Sequence, residues 1–552
     1  MLAANVYKGL KGMRYLIVID DVWSTKAWDD VKMIFPNDNN GSRIIITTTL
    51  SDIAQFSSSS APHEIHFSDE DEGWNLLRQM VFKQQDCPVE LENIGKLIAR
   101  SCGGLPLAIV VIAGLLSTVG RTQASWEDIA ENVNVAVTTN YEQFAKILSL
   151  SYIHLPQHLR PCFLYMGGFP EDNEIHVSKL IKLWVAEGFI IPSGSKSFEE
   201  DAEQYLEDLV KRSLVLVTKR KTNGKIKICR VHDLVRDLCI RKAQEEKFLR
   251  RYVGEMLQED MKYQHQISAN RNSATTYSEY CSFVRNFRKL KILDVVNSAR
   301  LRVHLFPEVF ELFHLRYLAV DYSTEIPAAI SNLQNLQTLI VHPGKAFKSY
   351  ESLIVILPSK IWMIPQSRHL VSFVFGGLPD PERDISPLEN VQTLSEIYPP
   401  FLSRPKLNLA FPQSLKKLSL SGKLRPWEDM GIVSLLPNLE VLKLRNYAFH
   451  GYKWETSEEE FRCLKFLLLD KSDLQHWITE SNHFPNLKCL VLCRCWCLKE
   501  IPVGEIPTLE LNDGNISLVD SARQIQEAQQ DWGNDAFQVG IGHYNTLTGD
   551  IK

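Results

Sequence analysis

Short apolar runs alternate with amphipathic segments at the front of the chain. Tyr15–Ile19 is a continuous apolar run, and residues 38–49, "DNNGSRIIITTT", give a polar turn followed by a second β-branched run. Such runs are typical of parallel strands covered on both faces. The pattern also predicts helices at 25–36 and 51–56 and a third strand, "HEIHF", at 63–67. We therefore expect a partial α/β domain with a parallel sheet over residues 1–67.

The pattern becomes helical over residues 68–140. Ser68 is placed to cap the first helix, whose first turn is acidic. Residues 91–116 predict a helix, a Gly-Gly stop, and an apolar helix with Pro106 in its first turn. The apolar stretch Leu105–Leu116 is too short to cross a membrane, which takes roughly 20 residues.

Residues 141–244 combine further helices with one hairpin. Two alternating strands flank Asn223-Gly224, a type I′ turn signal, within residues 213–233. Helices followed by a hairpin predict a winged helix. The polar residues 245–280 then predict a linker.

A repeat begins near residue 281. Seven segments follow the pattern L-x-x-L-x-L, and clean neighbours start 25, 21, 24, 25 and 23 residues apart, inside the leucine-rich-repeat range of about 20–29. The segments are 290–295, 315–320, 336–341, 415–420, 439–444, 464–469 and 487–492. Residues 370–375, "LVSFVF", are a degraded copy. We expect a repeat solenoid over 281–515 and a C-terminal tail over 516–552. The complete prediction is a multidomain α/β protein.

The net charge and the cysteine content bear on the kinds of partner and the compartment that are expected. The 552 residues carry a net charge of −5, which gives no general electrostatic reason to bind nucleic acid or an anionic membrane. Eleven dispersed cysteines favour a reducing compartment. Four of them cluster at Cys489, Cys493, Cys495 and Cys497, but this spacing does not match paired zinc ligands. We interpret them as thiols packed in the repeat core.

The hairpin is strongly basic. Residues 211–230 hold eight Lys or Arg and no acid. A winged helix with a basic wing could bind DNA. The acidic balance of the whole chain and the lack of interleaved aromatic residues favour a solvated wing instead.

Two carboxylates, Asp20 and Asp21, end the first apolar strand. Acids at this place suit a magnesium ion beside substrate phosphates, although a solvated strand-end pair is the plainer alternative. The phosphate-binding loop G-x-x-x-x-G-K-[ST] does not occur in this sequence.

Six blocks occur in order before the repeats, and together they resemble the plant NLR immune-receptor family (NB-ARC with leucine-rich repeats) of the coiled-coil type. The blocks are "LIVIDDVW" (16–23), "GSRIIITTT" (41–49), "CGGLPLAI" (102–109), "CFLYMGGFPED" (162–172), "LWVAEGFI" (183–190) and "VHDLVRDL" (231–238). The resemblance implies a switch in which bound ADP holds the receptor off. Exchange for ATP with Mg²⁺ then allows opening, oligomerisation and localised cell death.

The resemblance also implies roles for single residues. Asp20 would help hold magnesium through water, and Asp21 would be the acid on the hydrolysis side. The loop Gly104-Leu105-Pro106-Leu107 would place Pro106 against the adenine ring, although a proline at the first helical position needs no such role.

His232, followed by Asp233, would donate to the β-phosphate of ADP from the winged helix, and imidazole suits this task because it can donate to a phosphate oxygen near neutral pH. A plain helix cap is its alternative role. At Thr49 the family usually has an arginine that senses the γ-phosphate. A neutral hydroxyl cannot make that charge-assisted contact, which puts discrimination between ATP and ADP in question.

Without the phosphate loop, hydrolysis should be lost, because phosphoryl transfer depends on those contacts. We interpret the chain as an N-terminally truncated receptor that lacks the first sheet strand, which would expose a sheet edge or an apolar face and predicts poor solubility. Two functions stay open: a nucleotide-dependent immune switch, or a recognition or decoy module that acts only by binding protein. DNA binding by the wing is a third and weaker alternative.

The resemblance implies a cytoplasmic protein with no more than peripheral membrane association. It also implies partners at the repeats, either a pathogen effector or a guarded host protein, and contacts with other chains of the family.

Overall fold

A computed structural model places most of the chain. It describes residues 2–48, 50–57, 61–133, 140–194, 196–221, 224–248, 266–268, 289–296, 307–321, 326–342, 355–375, 389–397, 411–422, 425–480, 482–501, 506–513, 516–531, 538–542, 544–545 and 550–551. Thr49 and Asn223 lie outside the described residues. The predicted role of Thr49 therefore stays a prediction.

The N-terminal unit holds one parallel strand pair among short helices: α1 (Leu2–Leu10), β1 (Leu16–Ile19), α2 (Thr25–Lys32), β2 (Arg43–Ile46) and α3 (Ser51–Ser57). The predicted parallel pairing is confirmed, with Leu16 opposite Arg43. The prediction that both faces are covered is wrong. Leu16 is 66% exposed and Val18 is 60% exposed. Side chains alternate between the two faces of a strand, and in this part of the described chain only the face that carries Ile17 and Ile19 is partly covered.

The third predicted strand, "HEIHF" at 63–67, is not formed. Ile65 is 85% exposed, and in the described part of the chain no other strand pairs with this segment. Alternating residues favour a strand only where a neighbour accepts and donates the backbone hydrogen bonds. The segment ends where the Ser68 N–H donates to the Gly104 carbonyl at 3.0 Å.

Four helices follow: α4 (Glu70–Phe82), α5 (Val89–Ser101), α6 (Pro106–Leu116) and α7 (Gln123–Val133). The cap of α4 is Asp69, one residue after the predicted Ser68. Asp69 accepts from the Glu72 N–H at 2.8 Å, and Glu72 accepts in return from the Asp69 N–H, which completes a capping box. Helix α6 begins at Pro106, as predicted, and is mostly buried.

The winged helix surrounds a small antiparallel sheet of β3 (Ile175–His176), β5 (Ile226–Arg230) and β4 (Leu216–Arg220), in that order. The predicted hairpin is confirmed, and Gly224 in its turn has a φ of +77°, which favours glycine. The accompanying helices are α8 (Asn140–Ile153), α9 (Arg160–Met166), α10 (Val177–Glu187), α11 (Phe198–Lys211) and α12 (Asp233–Glu245).

The repeats form a twelve-stranded sheet in which every neighbouring pair is parallel. Its strands, in chain and spatial order, are β6 (Gln266–Ser268), β7 (Ile292–Asp294), β8 (Tyr317–Asp321), β9 (Thr338–His342), β10 (His369–Phe375), β11 (Thr393–Ile397), β12 (Lys417–Ser421), β14 (Val441–Arg445), β17 (Phe466–Asp470), β19 (Cys489–Cys493), β20 (Thr508–Asn512) and β21 (Gln538–Gly542).

Smaller elements complete the solenoid. Short strand pairs are β13 (Arg425–Pro426) with β15 (Phe449–His450), β16 (Lys453–Glu455) with β18 (His476–Ile478), and β22 (Tyr544–Asn545) with β23 (Asp550–Ile551). The helices are α13 (Gly431–Ser434), α14 (Ile516–Asp531) and 3₁₀ segments at Pro307–Glu311, Ala328–Asn332, Ser359–Met363 and Trp427–Met430.

The sheet extends beyond the predicted repeat region at both ends. Strand β6 lies inside the predicted linker, and β21 lies inside the predicted tail. The repeat pattern missed both, because an end strand is held by backbone bonds to one neighbour and needs fewer of the repeat leucines. The predicted degraded copy at 370–375 is confirmed as part of β10.

The cysteine cluster divides in two. Cys489, Cys493 and Cys495 are buried in the repeats, which confirms their interpretation as packed thiols, whereas Cys497 is exposed and that prediction is wrong.

Among the described residues, no helix is both long enough and apolar enough to span a membrane.

Candidate functional site

The acid pair lies at the carboxyl end of β1. Asp20 accepts a hydrogen bond from the Thr47 hydroxyl at the end of β2, and the same hydroxyl accepts from the Asp21 N–H at 2.9 Å. Asp21 has a φ of +53°, so the chain turns sharply as the strand ends. Both carboxylates are exposed. The magnesium role of Asp20 and the acid role of Asp21 stay predictions.

The loop predicted to contact adenine connects α5 to α6. Gly104 has a φ of +70°, and a Cβ there would lie 2.4 Å from the Ser68 carbonyl oxygen, so the close approach requires glycine. Leu105 and Leu107 pack partly against the helical core. Pro106 is the first residue of α6 and is exposed. Its ring is therefore free to lie against a flat ligand.

His232 is the N-cap of α12. Its Nδ1 accepts from the Leu234 N–H at 3.4 Å, so the helix-cap alternative describes the bond that is observed. Because Nδ1 is an acceptor, the ring proton belongs on Nε2, which stays able to donate to a phosphate. Burial and the nearby charge of Asp172 raise the pKa of the adjacent Asp233.

These three groups remain separate. Within the described residues, no hydrogen bond or ion pair joins Asp20 or Asp21 to the 104–107 loop or to His232. The described residues fit an adenine base at Pro106 and one phosphate donor at His232. They do not include a glycine-rich loop of backbone N–H groups for the phosphate chain.

A different site, which the sequence did not reveal, joins the winged helix to the repeats. We call the side of the twelve-stranded sheet that points away from the solenoid core the concave face. Along β8, Leu318 packs in the solenoid core, whereas its neighbours Tyr317 and Ala319 pack in the core of the helical and winged-helix domains. Alternation along one strand thus places two hydrophobic cores back to back.

Charged contacts surround this apolar centre on the α10 side. Lys179 pairs with Asp294 at 2.6 Å. Lys291 donates to the Glu187 carbonyl at 3.0 Å, and Arg316 donates to the Ala186 carbonyl at 3.4 Å. These two cations therefore neutralise the negative end of the α10 dipole.

Glu199, in the first turn of α11, is the centre of the interface. Arg368 donates to both of its carboxylate oxygens, from Nε at 2.9 Å and from a terminal nitrogen at 2.7 Å. His369 Nε2 lies 3.0 Å from the same carboxylate, and its Nδ1 lies 3.1 Å from the Thr393 hydroxyl. Since a carboxylate only accepts, Nε2 carries the proton and the Thr393 hydroxyl donates to Nδ1.

Two pKa values reflect this contact. Burial disfavours ionisation of Glu199, but the hydrogen bonds from His369 and Arg368 outweigh it and hold its pKa well below the usual range. Burial lowers the pKa of His369 to about 4, so the imidazole is neutral at neutral pH. Glu199–Arg368 is therefore the ion pair, and His369 is a neutral donor to it.

The basic hairpin also faces the repeats. Lys225 pairs with Glu203 of α11 at 2.5 Å and its charge interacts with Glu440, while Lys227 interacts with Glu510. The predicted solvated wing is thus only partly right. The wing lies over the concave face, where repeat carboxylates offset part of its charge.

A repeat signal could have revealed the interface. The residue just before the strand is basic at six of the nine sheet strands β7 to β12, β14, β17 and β19, namely at Lys291, Arg316, Arg368, Lys416, Lys465 and Lys488. Four of these contact the winged helix, and Lys416 does so through Glu200 at 3.4 Å. The sequence therefore contained evidence for docking that was not recognised, namely this row of basic residues in the repeats together with the acidic first turn of α11.

Comparisons with known proteins agree with this architecture. A family model described as the NB-ARC domain matches residues 1–87, and one described as the disease resistance protein winged helix domain matches residues 169–239. Late blight resistance protein homolog R1B-16 of Solanum demissum is 34% identical over 100% of this chain and 49% of that protein. Homolog R1B-14 of the same organism is 34% identical over 100% and 48%.

Among solved structures, a leucine-rich-repeat protein of Leptospira interrogans matches with a TM-score of 0.30 and 18% identity, over 47% of this chain and 62% of that one.

The domain order and the sequence matches define an NLR-type protein, with a nucleotide-binding fold, a winged helix and leucine-rich repeats. The chain belongs to the plant disease-resistance proteins of this type, together with the late blight resistance homologs. It spans about half the length of the curated relatives it matches.

Proposed function

We propose that the chain is an intracellular, cytoplasmic immune receptor of a plant, with an ADP/ATP switch and a repeat sensor for a pathogen effector or a guarded host protein. Its place in the disease-resistance family supports the receptor role. Exposed Pro106 and the free Nε2 of His232 support a nucleotide between the helical domain and the winged helix.

One observation carries the proposal. The domain that holds His232 is fixed to the sensor through the Glu199–Arg368 pair and the shared apolar centre at Tyr317. A nucleotide contact that moves the winged helix must therefore change these contacts. The arrangement thus gives the nucleotide site a physical connection to the sensor.

The first experiment is nucleotide retention. The 552-residue chain is purified gently and denatured, and released ADP or ATP is identified by chromatography. About one ADP per chain is expected, and His232→Ala should reduce this amount, because it removes the proposed phosphate donor. His314→Ala, on the exposed surface of the repeats, is the matched control and should retain as much ADP as the native chain.

A second function is a nucleotide-free recognition or decoy module. It is favoured by the separation of the acid pair from the loop and His232, and by the lack of a phosphate cradle among the described residues. Folded protein that releases no nucleotide would overturn the switch and leave this function.

A further inference from the structure

Strand β1 has a free edge. Within the described residues its only neighbour in the sheet is β2, and the Tyr15 carbonyl accepts from the Arg43 N–H at 2.9 Å. Peptide groups along a strand point to alternate sides, so Leu16 and Val18 direct their N–H and C=O groups away from β2. Such groups need a hydrogen-bond partner, which is either water or another strand.

This edge lacks the features that normally prevent strand pairing. Natural sheets protect their edges with lysine, proline or a β-bulge. No lysine or proline lies between Arg14 and Asp20, and the register of β1 with β2 is continuous. Leu16 and Val18 are largely exposed. A strand from another molecule can therefore reach them.

The sequence along this edge is complementary to itself. Arg14, Leu16, Val18 and Asp20 alternate with half-buried residues, so they share the exposed face of the strand. In an antiparallel pair centred on Ile17, Leu16 lies opposite Val18 of the second copy. Arg14 then lies opposite Asp20 of the second copy. Apolar pairs and oppositely charged pairs at directly opposite positions both stabilise a sheet.

Both charged groups are available for this contact. The Arg14 side chain is exposed and, in the part of the chain that the structure describes, forms no hydrogen bond or ion pair. Asp20 is exposed as well, and its bond from the Thr47 hydroxyl uses one carboxylate oxygen. The edge of β2 offers no such match, because antiparallel pairing centred on Ile45 would place Arg43 opposite the uncharged Thr47.

We propose that two copies of the chain pair through β1, antiparallel and centred on Ile17, and so join their sheets into one. Each Leu16–Val18 pair then exchanges both of its backbone hydrogen bonds. An ion pair between Arg14 and Asp20 closes each end of the contact. Because both copies use the same strand, the arrangement is closed and stops at a dimer.

The contact is small, which predicts weak association that depends on protein concentration. It lies in the N-terminal unit and involves neither the 104–107 loop nor His232. Dimerisation is therefore independent of the proposed nucleotide site.

Charge reversal tests the pairing. Sedimentation velocity of the full chain over a concentration series should show a monomer–dimer equilibrium, in buffer with EDTA so that no divalent cation competes for Asp20. Arg14→Asp and Asp20→Arg should each weaken dimerisation about tenfold, because like charges then lie opposite each other at both ends. An equimolar mixture of the two variants should dimerise as well as the native chain, since each new charge meets its opposite.

Arg43→Asp is the matched control. It makes the same change of charge on the exposed face of the same sheet, but on β2, away from the joined edges. It should leave dimerisation unchanged. A loss equal to that in Arg14→Asp would overturn the proposal, because the copies would then associate through their sheet faces or through β2.

Ile17→Cys tests the register. The two copies of this residue form the central pair, which is not hydrogen-bonded and has Cα atoms about 4.5 Å apart, within the span of a disulfide. Oxidation should give more covalent dimer in this variant than in the native chain, whose exposed Cys497 sets the background. Equal amounts in the two proteins would contradict pairing centred on Ile17.

Two further results would overturn the dimer. One is a native chain that stays monomeric at every concentration, and a protected Val18 amide in hydrogen exchange would then show that another segment of the same chain occupies the edge. The other is a mixture of Arg14→Asp and Asp20→Arg that does not recover dimerisation. His232→Ala should dimerise like the native chain, so failure of nucleotide retention and failure of this contact are distinguishable.

Discussion

At the scale of single residues, His369 makes the docked interface sensitive to acid. Its folded pKa is about 4 and its ordinary value is 6.5, so between these pH values the unfolded chain binds a proton that the folded chain does not. Stability contributed by this residue is therefore present above about pH 6.5 and is lost as the pH falls toward 4. Glu199, with its lowered pKa, stays ionised throughout this window.

We expect His369→Gln to flatten this dependence, since glutamine can donate to Glu199 but does not titrate. Between about pH 6.5 and pH 5, the native chain should lose up to about 1.4 kcal/mol per pH unit more than the variant. Denaturant unfolding at several pH values measures the difference. If the free energy of unfolding depended on pH in the same way for both proteins, the lowered pKa assigned to His369 would be contradicted.

At the scale of elements, Gly114 determines how closely α6 packs on the winged helix. A Cβ at this position would lie 2.3 Å from the Arg212 carbonyl oxygen, a backbone atom that cannot move aside alone. Gly114→Ala should therefore destabilise the chain by about 1–3 kcal/mol, the usual cost of overpacking.

Gly431 provides the control, because a Cβ there would meet no heavy atom within 4 Å and its φ is helical. Gly431→Ala should be stabilising by about 0.4–1 kcal/mol. Chemical denaturation of both variants tests the pair. If Gly114→Ala left the free energy of unfolding unchanged, the two domains would have to separate easily at this contact.

The exposed face of β1 and β2 carries the second prediction at this scale. Leu16, Val18 and Ile45 are 66%, 60% and 49% exposed, side by side on parallel strands. Val18→Thr should reduce self-association, because it keeps the β-branched shape and removes apolar surface. Light scattering at increasing protein concentration measures it. Ile17→Thr, on the half-buried face, should lower stability without improving solubility.

Sequence patterns predicted elements better than contacts between them. The repeat leucines and the Asn-Gly hairpin signal reflect local periodicity, and both elements formed where expected. "HEIHF" failed because its alternation needs a neighbouring strand that the pattern cannot supply. The position of His232 at a helix start was predictable, but Glu199, Arg368 and His369 are brought together across about 170 residues by docking alone.

At the scale of the whole molecule, the winged helix occupies the concave face that repeat proteins commonly use for binding. Arg368 and Lys416 hold it there through Glu199 and Glu200. A partner that binds these same repeat positions must displace the winged helix. In the proposed receptor, recognition of a partner and docking of the winged helix would therefore compete for the same surface of the repeats.

This competition predicts that charge reversal opens the molecule. Arg368→Glu with Lys416→Glu places four acids together, and breaking a buried ion pair typically costs about 3–5 kcal/mol. Small-angle X-ray scattering should show a larger radius of gyration than for the native chain. Glu199→Arg with Glu200→Lys, added to that variant, should restore the compact value by reversing the pairs.

Reversing Lys96, in the exposed pair with Glu92, should leave the radius unchanged, because that pair lies within one helix. If the radius stays compact in the reversed variant, the apolar centre around Tyr317 alone holds the domains, and the ion pairs only set their register.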